Sequence, residues 1–139
     1  KLFNNKKEYE IFSEMAQEEK EHLDYFNKLA KEKNIKPSKL APLFDIGAFA
    51  MGVSTALIGP KAAYVCTEAV EEIIEQHYSK QIDQLDKIDT DLQKKISKFR
   101  NDEAHHKETG NKNSDKSHPI LKKLINKTTE AAIFLAERT

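Results

Sequence analysis

The chain contains no tryptophan, one cysteine (Cys66), and only four glycines and four prolines among 139 residues. A single cysteine excludes an internal disulfide and suits a reducing compartment. Scarce Gly and Pro argue against the many tight turns of a sandwich or barrel and favour long helices. An excess of either charge is also missing, because 23 basic residues balance 23 acidic ones. A neutral chain lacks the general positive field that holds nucleic acid non-specifically, so no nucleic-acid partner is expected. No stretch alternates apolar and polar residues as a half-buried strand does. The chain begins at Lys1 with neither a methionine nor a signal-like apolar run, as a fragment or a processed form would.

What is present is charge, at 33 % of residues, and apolar positions recurring at helical spacing almost everywhere. The expected fold is all-α, one domain over residues 1–139, long enough to enclose a core. A first helix is predicted from about Asn5 to Lys33, stopped near Pro37. A second covers about Pro42 to Ile58 and is closed by Gly59-Pro60; a third runs from Lys61 to about Leu85. "KIDTDLQKK" then supplies a turn, with Asp89 or Thr90 as cap of a fourth helix ending near Gly110. "NKNSDKSHP" reads as a polar loop with Pro119 at a first helical position, and a last helix fills Ile120 to Glu137.

Three of these helices carry acids inside their apolar seams. In the first, Phe12, Met15, Glu19, His22, Phe26 and Leu29 follow core spacings, while Glu18 and Glu21 fall to the sides and read as solvated. In the fourth, Leu92, Ile96, Phe99, Glu103, His106 and Gly110 do the same, with Asp102 and His105 off the seam. In the third, Thr67, Glu71, Ile74, Tyr78, Ile82 and Leu85 form a comparable stripe, with Glu72 outside it. A Glu and a His three apart on a helix surface are usually just solvated; placement on apolar seams sets these apart. A buried unpaired carboxylate costs several kcal/mol, on the order of the whole stability when three are summed. Something positive must therefore sit among them, and no Lys or Arg occupies those inner positions. Iron or manganese takes carboxylate oxygen and imidazole nitrogen together, and bundles hold such metals with inward Glu and Glu-x-x-His groups. Further along the third helix, His77 and Tyr78 are either a surface His and a core Tyr or groups that hydrogen-bond the ligands. Cys66 reads as a small packing residue.

"DIGAFAMGVSTALIGP" has no charge from Ile46 through Gly59. It is shorter than the roughly 20 residues of a comfortable bilayer span, and its apolar residues cover every side. Such a helix is either fully enclosed or lies in an interface. The last helix offers a second apolar surface through Leu121, Leu124, Ile125, Thr128, Ala132 and Leu135, with Lys122, Lys123 and Lys127 on its other side. Core burial would account for either helix taken alone, and for the last helix it is the more ordinary reading; together they point to association with a membrane surface.

"FAMGVSTALIGPKAAYVCTEAVEEIIEQHY" resembles the signature region of the demethoxyubiquinone hydroxylase family of ubiquinone biosynthesis. "EEKEHLDYF", "FRNDEAHHKETG" and "AAIFLAER" resemble flanking family segments in the same order, so the likeness covers essentially the whole chain. It implies a ferritin-like di-iron bundle with extra apolar helices that dock on a membrane. The metal ligands it implies are Glu19, His22, Glu71, Glu103 and His106, the residues already isolated on the seams, with His77 and Tyr78 beside them. No catalytic group beyond the ligands is implied. The implied activity is O2-dependent hydroxylation of a polyprenylated demethoxy-benzoquinol by two iron ions, with NADH as ultimate electron donor. No nicotinamide-binding fingerprint is present, so an NADH contact would be unconventional or made through a partner. The resemblance further implies a lipid-binding ubiquinone-assembly protein as partner and is compatible with self-association. It places the protein on the cytoplasmic face of a bacterial inner membrane or the matrix face of the mitochondrial one. The family begins with another helix whose Gly-Glu motif supplies a sixth ligand, and that segment is expected to be missing before Lys1. Two other readings stay open: an iron-storage or peroxide-handling bundle, and a metal-free helical scaffold at a membrane surface.

Overall fold

The computed structural model describes residues 5–85 and 88–139, so Lys87 of the predicted turn lies outside the described residues. The chain is an all-α helical bundle protein; among the described residues there are five helices and no strand. They are α1 (Lys6–Glu32), α2 (Ala41–Ile58), α3 (Pro60–Leu85), α4 (Thr90–Ser114) and α5 (Pro119–Ala136). Two compact units are present: Lys1–Pro60 with Ala131–Thr139, and Lys61–Glu130.

In the first unit, the Asn5 side chain caps α1 by accepting from the Lys7 N–H at 3.1 Å. The helix ends where Asn34 takes a left-handed φ of 55°. Asparagine tolerates that conformation, and the Ile35 N–H then reaches back to the Ala30 carbonyl at 2.8 Å. Before α2, the Ser38 hydroxyl accepts from the Leu40 N–H at 3.1 Å and pairs with the Thr139 hydroxyl at the far end of the chain. Gly59, at φ 144°, makes the turn between α2 and α3 that a side chain would resist.

α2 is not enclosed. Only 6 % of it is buried, and Leu43, Ile46, Phe49, Leu57 and Ile58 all stand exposed. Its one buried residue is Thr55, whose hydroxyl donates to the carbonyls of Met51 and Gly52, both at 3.0 Å. Of the two placements its composition allowed, enclosed or interfacial, the enclosed one is therefore excluded. By length and composition alone, its 18 residues also suffice to cross a membrane.

The second unit has the opposite character. The first turns of α3 are buried continuously from Ala62 through Cys66, and Ile73, Ile96, Phe99 and Ile125 complete an apolar core. The Asp89 carboxylate caps α4, accepting from the Leu92 N–H at 3.0 Å. α4 does not stop near Gly110 but continues to Ser114, where Asp115 turns left-handed at φ 53°. Gly110 serves another purpose. A Cβ there would lie 2.7 Å from the Tyr64 carbonyl oxygen and 2.8 Å from the Glu68 nitrogen. The residue is glycine because two helix backbones meet at it, and the first half of the predicted polar loop stays helical around that contact.

Candidate metal centre

Glu71 on α3 and Glu103 and His106 on α4 are all buried, the last two at 1 % exposure. Their ligand-forming atoms lie within 4.8 Å of one another. Helical geometry accounts for the α4 pair, since residues three apart stack on one face. The Nδ1 of His106 is 3.3 Å from Oε2 of Glu103. α3 brings the second carboxylate from the facing helix, where Gly110 allows the close approach. Two carboxylates and one imidazole converging at buried positions form a donor set suited to iron or manganese.

On α1 the second Glu-x-x-His pair is also formed. His22 is 3 % exposed, and its Nδ1 lies 3.7 Å from Oε2 of Glu19. The Glu19 side chain is 45 % exposed overall, but its Oε1 is buried, so the carboxylate presents one oxygen to the interior. Of the acids predicted to be solvated beside them, Glu21 is exposed, whereas Glu18 is half-buried and engaged in an interaction. His77 and Tyr78 are both half-buried, and His77 Nε2 accepts from the Gln81 amide at 3.1 Å one turn further on. Cys66 is buried, as a packing residue would be.

Sequence reasoning missed a group next to the centre. Glu68, one turn before Glu71, is 5 % exposed. Its Oε1 accepts from Lys122 Nζ at 2.6 Å and from the Asn111 amide at 2.7 Å. Glu72, expected outside the seam, is half-buried, with Lys122 Nζ at 3.4 Å and the Asn126 amide at 3.1 Å. Lys122 is thus a half-buried cation paired with two glutamates and not the lipid-facing one its sequence neighbourhood implied. Burial opposes the charge of Glu68, but hydrogen bonds from Lys122 and Asn111 and the attraction of Lys122 outweigh it. Its carboxyl lies below the ordinary carboxylate value as a result. Burial likewise opposes the charge of Lys122, and the two glutamates raise it above the ordinary lysine value. The available signal was the seam spacing itself, because 68, 71 and 75 step by three and four; Glu75 too is paired, with Lys107.

The family model described as "Ubiquinone biosynthesis protein COQ7" matches residues 1–136. A Dictyostelium discoideum protein named NADPH-dependent 3-demethoxyubiquinone 3-hydroxylase, mitochondrial, is 38 % identical over 140 residues, covering 96 % of this chain and 64 % of its own length. The 3-demethoxyubiquinol 3-hydroxylase of Rhodospirillum rubrum is 36 % identical over 131 residues, covering 92 % of this chain and 62 % of its own. The 5-demethoxyubiquinone hydroxylase, mitochondrial, of Saccharomyces cerevisiae is 35 % identical over 146 residues, with 92 % and 63 % covered. The chain therefore spans a little under two thirds of the length of these relatives. A family match that spans residues 1–136 of 139 leaves one conclusion: the chain belongs to the family of ubiquinone biosynthesis protein COQ7.

Proposed function

We propose that the protein is a membrane-associated hydroxylase of a polyprenylated demethoxy-benzoquinol, using iron held by Glu19, His22, Glu71, Glu103 and His106. The observation that carries this reading is the buried convergence of Glu71, Glu103 and His106 within 4.8 Å, in a chain of this family. The family match spanning residues 1–136 supports treating the chain as one functional domain with a ferritin-like fold. When bound, two iron ions supply the activation of O2 that hydroxylation of a ring needs. The chain's own residues do the rest. Glu71 and Glu103 provide negative charge that offsets the metal, and His106 provides a neutral nitrogen donor. Ile73, Ile96, Phe99 and Ile125, buried in the same unit, keep water from the ligands. His77 and Tyr78 stand on the helix of Glu71 as hydrogen-bonding groups beside the site.

The exposed apolar face of α2 supports peripheral attachment to a membrane, where the substrate's prenyl tail resides. Relatives named mitochondrial and a bacterial relative support either the matrix face of the mitochondrial inner membrane or the cytoplasmic face of a bacterial one. The donor of electrons is a reduced nicotinamide; the resemblance implied NADH, and several relatives carry NADPH in their names. Hydroxylation by the protein with Glu71→Ala or His106→Ala tests the assignment. Each variant is expected to lose activity about a hundredfold or more, and retained activity in either would sink the reading.

A further inference from the structure

We propose that Lys122 is a positioning residue for the metal centre: by gripping Glu68 and Glu72 together, it fixes the rotation of α3 that presents Glu71 to Glu103 and His106. This rests on the metal-binding reading above. Glu68 and Glu72 are four residues apart, so they leave α3 about 40° from one another and share one face. Glu71 leaves the same helix about 60° to the other side of Glu68. Lys122 Nζ sits 2.6 Å from Glu68 and 3.4 Å from Glu72. Asn111 of α4 and Asn126 of α5 donate to the same two carboxylates, at 2.7 and 3.1 Å. One face of α3 is therefore held by two neighbouring helices at the level of Glu71.

The lever is short and the tolerance small. A carboxylate carried about 5–6 Å from the helix axis moves about 2 Å when the helix turns by roughly 20°. Metal–ligand distances tolerate about 0.2 Å, so a modest rotation takes Glu71 out of register. Gly110 sets how closely α3 and α4 approach, but a glycine contact does not resist rotation about the helix axis; the ion pair does. A buried pair of this kind adds little net stability compared with apolar residues of the same volume, so its main effect is geometrical.

The test uses cobalt(II) alone as probe, titrated into the full chain. Affinity and the visible absorption bands of the bound ion are read together, and helicity is checked by circular dichroism. Lys122→Met is expected to bind about tenfold more weakly, with altered band intensity and unchanged helicity. Lys122→Arg should recover most of the affinity. Lys127→Met, which removes a surface lysine of the same helix, should match the wild type. Glu71→Ala separates the two readings. If it binds cobalt as the wild type does, the metal assignment fails and the positioning role falls with it. If it loses cobalt while Lys122→Met binds like the wild type, only the positioning role is overturned; an Arg variant as weak as the Met variant overturns it too. Should Lys122→Met not fold, Glu68→Gln decides instead: about tenfold weaker binding supports the proposal, and wild-type affinity overturns it.

Discussion

α2 and the first half of α3 are joined by one glycine, and they reverse the usual assignment of residues to inside and outside. α2, without a charge after Asp45, is 6 % buried. α3, which carries Glu68, Glu71 and Glu72 within five residues, holds two of those acids below 9 % exposure. The hydrophobic effect drives apolar surface out of water, but not necessarily into the protein's own core. An exposed apolar patch on this scale marks a surface meant for a partner or a membrane. Buried acids, conversely, require compensation by a cation. α3 has two kinds: a lysine for Glu68, and, in the proposed reading, a metal for Glu71.

The largest effect expected from this contrast is at α2. Replacing Phe49 and Leu57 by Asp removes two exposed apolar side chains, each worth about 2 kcal/mol on burial. Partition onto vesicles of mixed neutral and anionic lipid should fall about a thousandfold, while the urea midpoint stays within experimental error. A fall in stability with unchanged vesicle binding would show that α2 packs against protein and would erase the contrast.

How much of this was legible beforehand follows the same division. Four of the five helices are visible in the spacing of apolar residues, because burial of one face writes a 3.6-residue period into sequence, and α2 is visible as the uncharged run from Ile46 through Gly59. The Asp89 cap and the Gly59-Pro60 break were equally plain, since each is decided by local backbone chemistry. The end of α4 was not. Gly110 has the local signature of a helix stop, and only the approach of Tyr64 and Glu68 shows why glycine is needed in mid-helix. Glu71, Glu103 and His106 could be picked out because they interrupt apolar seams. Glu68 stands at seam spacing from Glu71 and could have been noticed there, but its pairing with Lys122, 54 residues away on another helix, is encoded in no local pattern.

A second prediction concerns that backbone contact. Gly110→Ala places a methyl group 2.7 Å from a carbonyl oxygen, with backbone on both sides and no flexible side chain to give way. A loss of about 1–3 kcal/mol is expected, read from the denaturant midpoint. An unchanged midpoint would mean that α3 and α4 are not closely apposed there.

The pH dependence of stability gives a third and smaller effect. Glu68 has its carboxyl lowered in the folded protein, so its contribution is fully present above the ordinary carboxylate value of 4.5 and is lost as pH falls through the depressed folded value. Lys122 is raised, so its contribution is present below the ordinary lysine value of 10.5 and is lost only as pH rises through the higher folded value. Neither is lost near neutrality. The midpoint should therefore decline more steeply from about pH 5 to about pH 3 in the wild type than in Glu68→Gln. Parallel curves would remove Glu68 from the account of acid sensitivity.

The smallest effect is at Lys127, which sequence had grouped with Lys122 on one side of α5. Five residues separate them, which is about 140° around the helix. That turn carries Lys122 inward to Glu68 and leaves Lys127 paired with Glu130 at 2.7 Å, the lysine side chain 67 % exposed. The shorter of two otherwise similar distances is not the deciding quantity here; solvent is. In water the attraction of an exposed pair is screened, and ordering two long side chains opposes it. A double-mutant cycle with Lys127→Met and Glu130→Gln should give a coupling below about 0.5 kcal/mol. The same cycle on Lys122 and Glu68 should give a clearly larger one, because the carboxylate left behind has no water to turn to. Equal couplings would mean that burial does not distinguish the two lysines, and the inside-out contrast of α2 and α3 would lose its energetic basis.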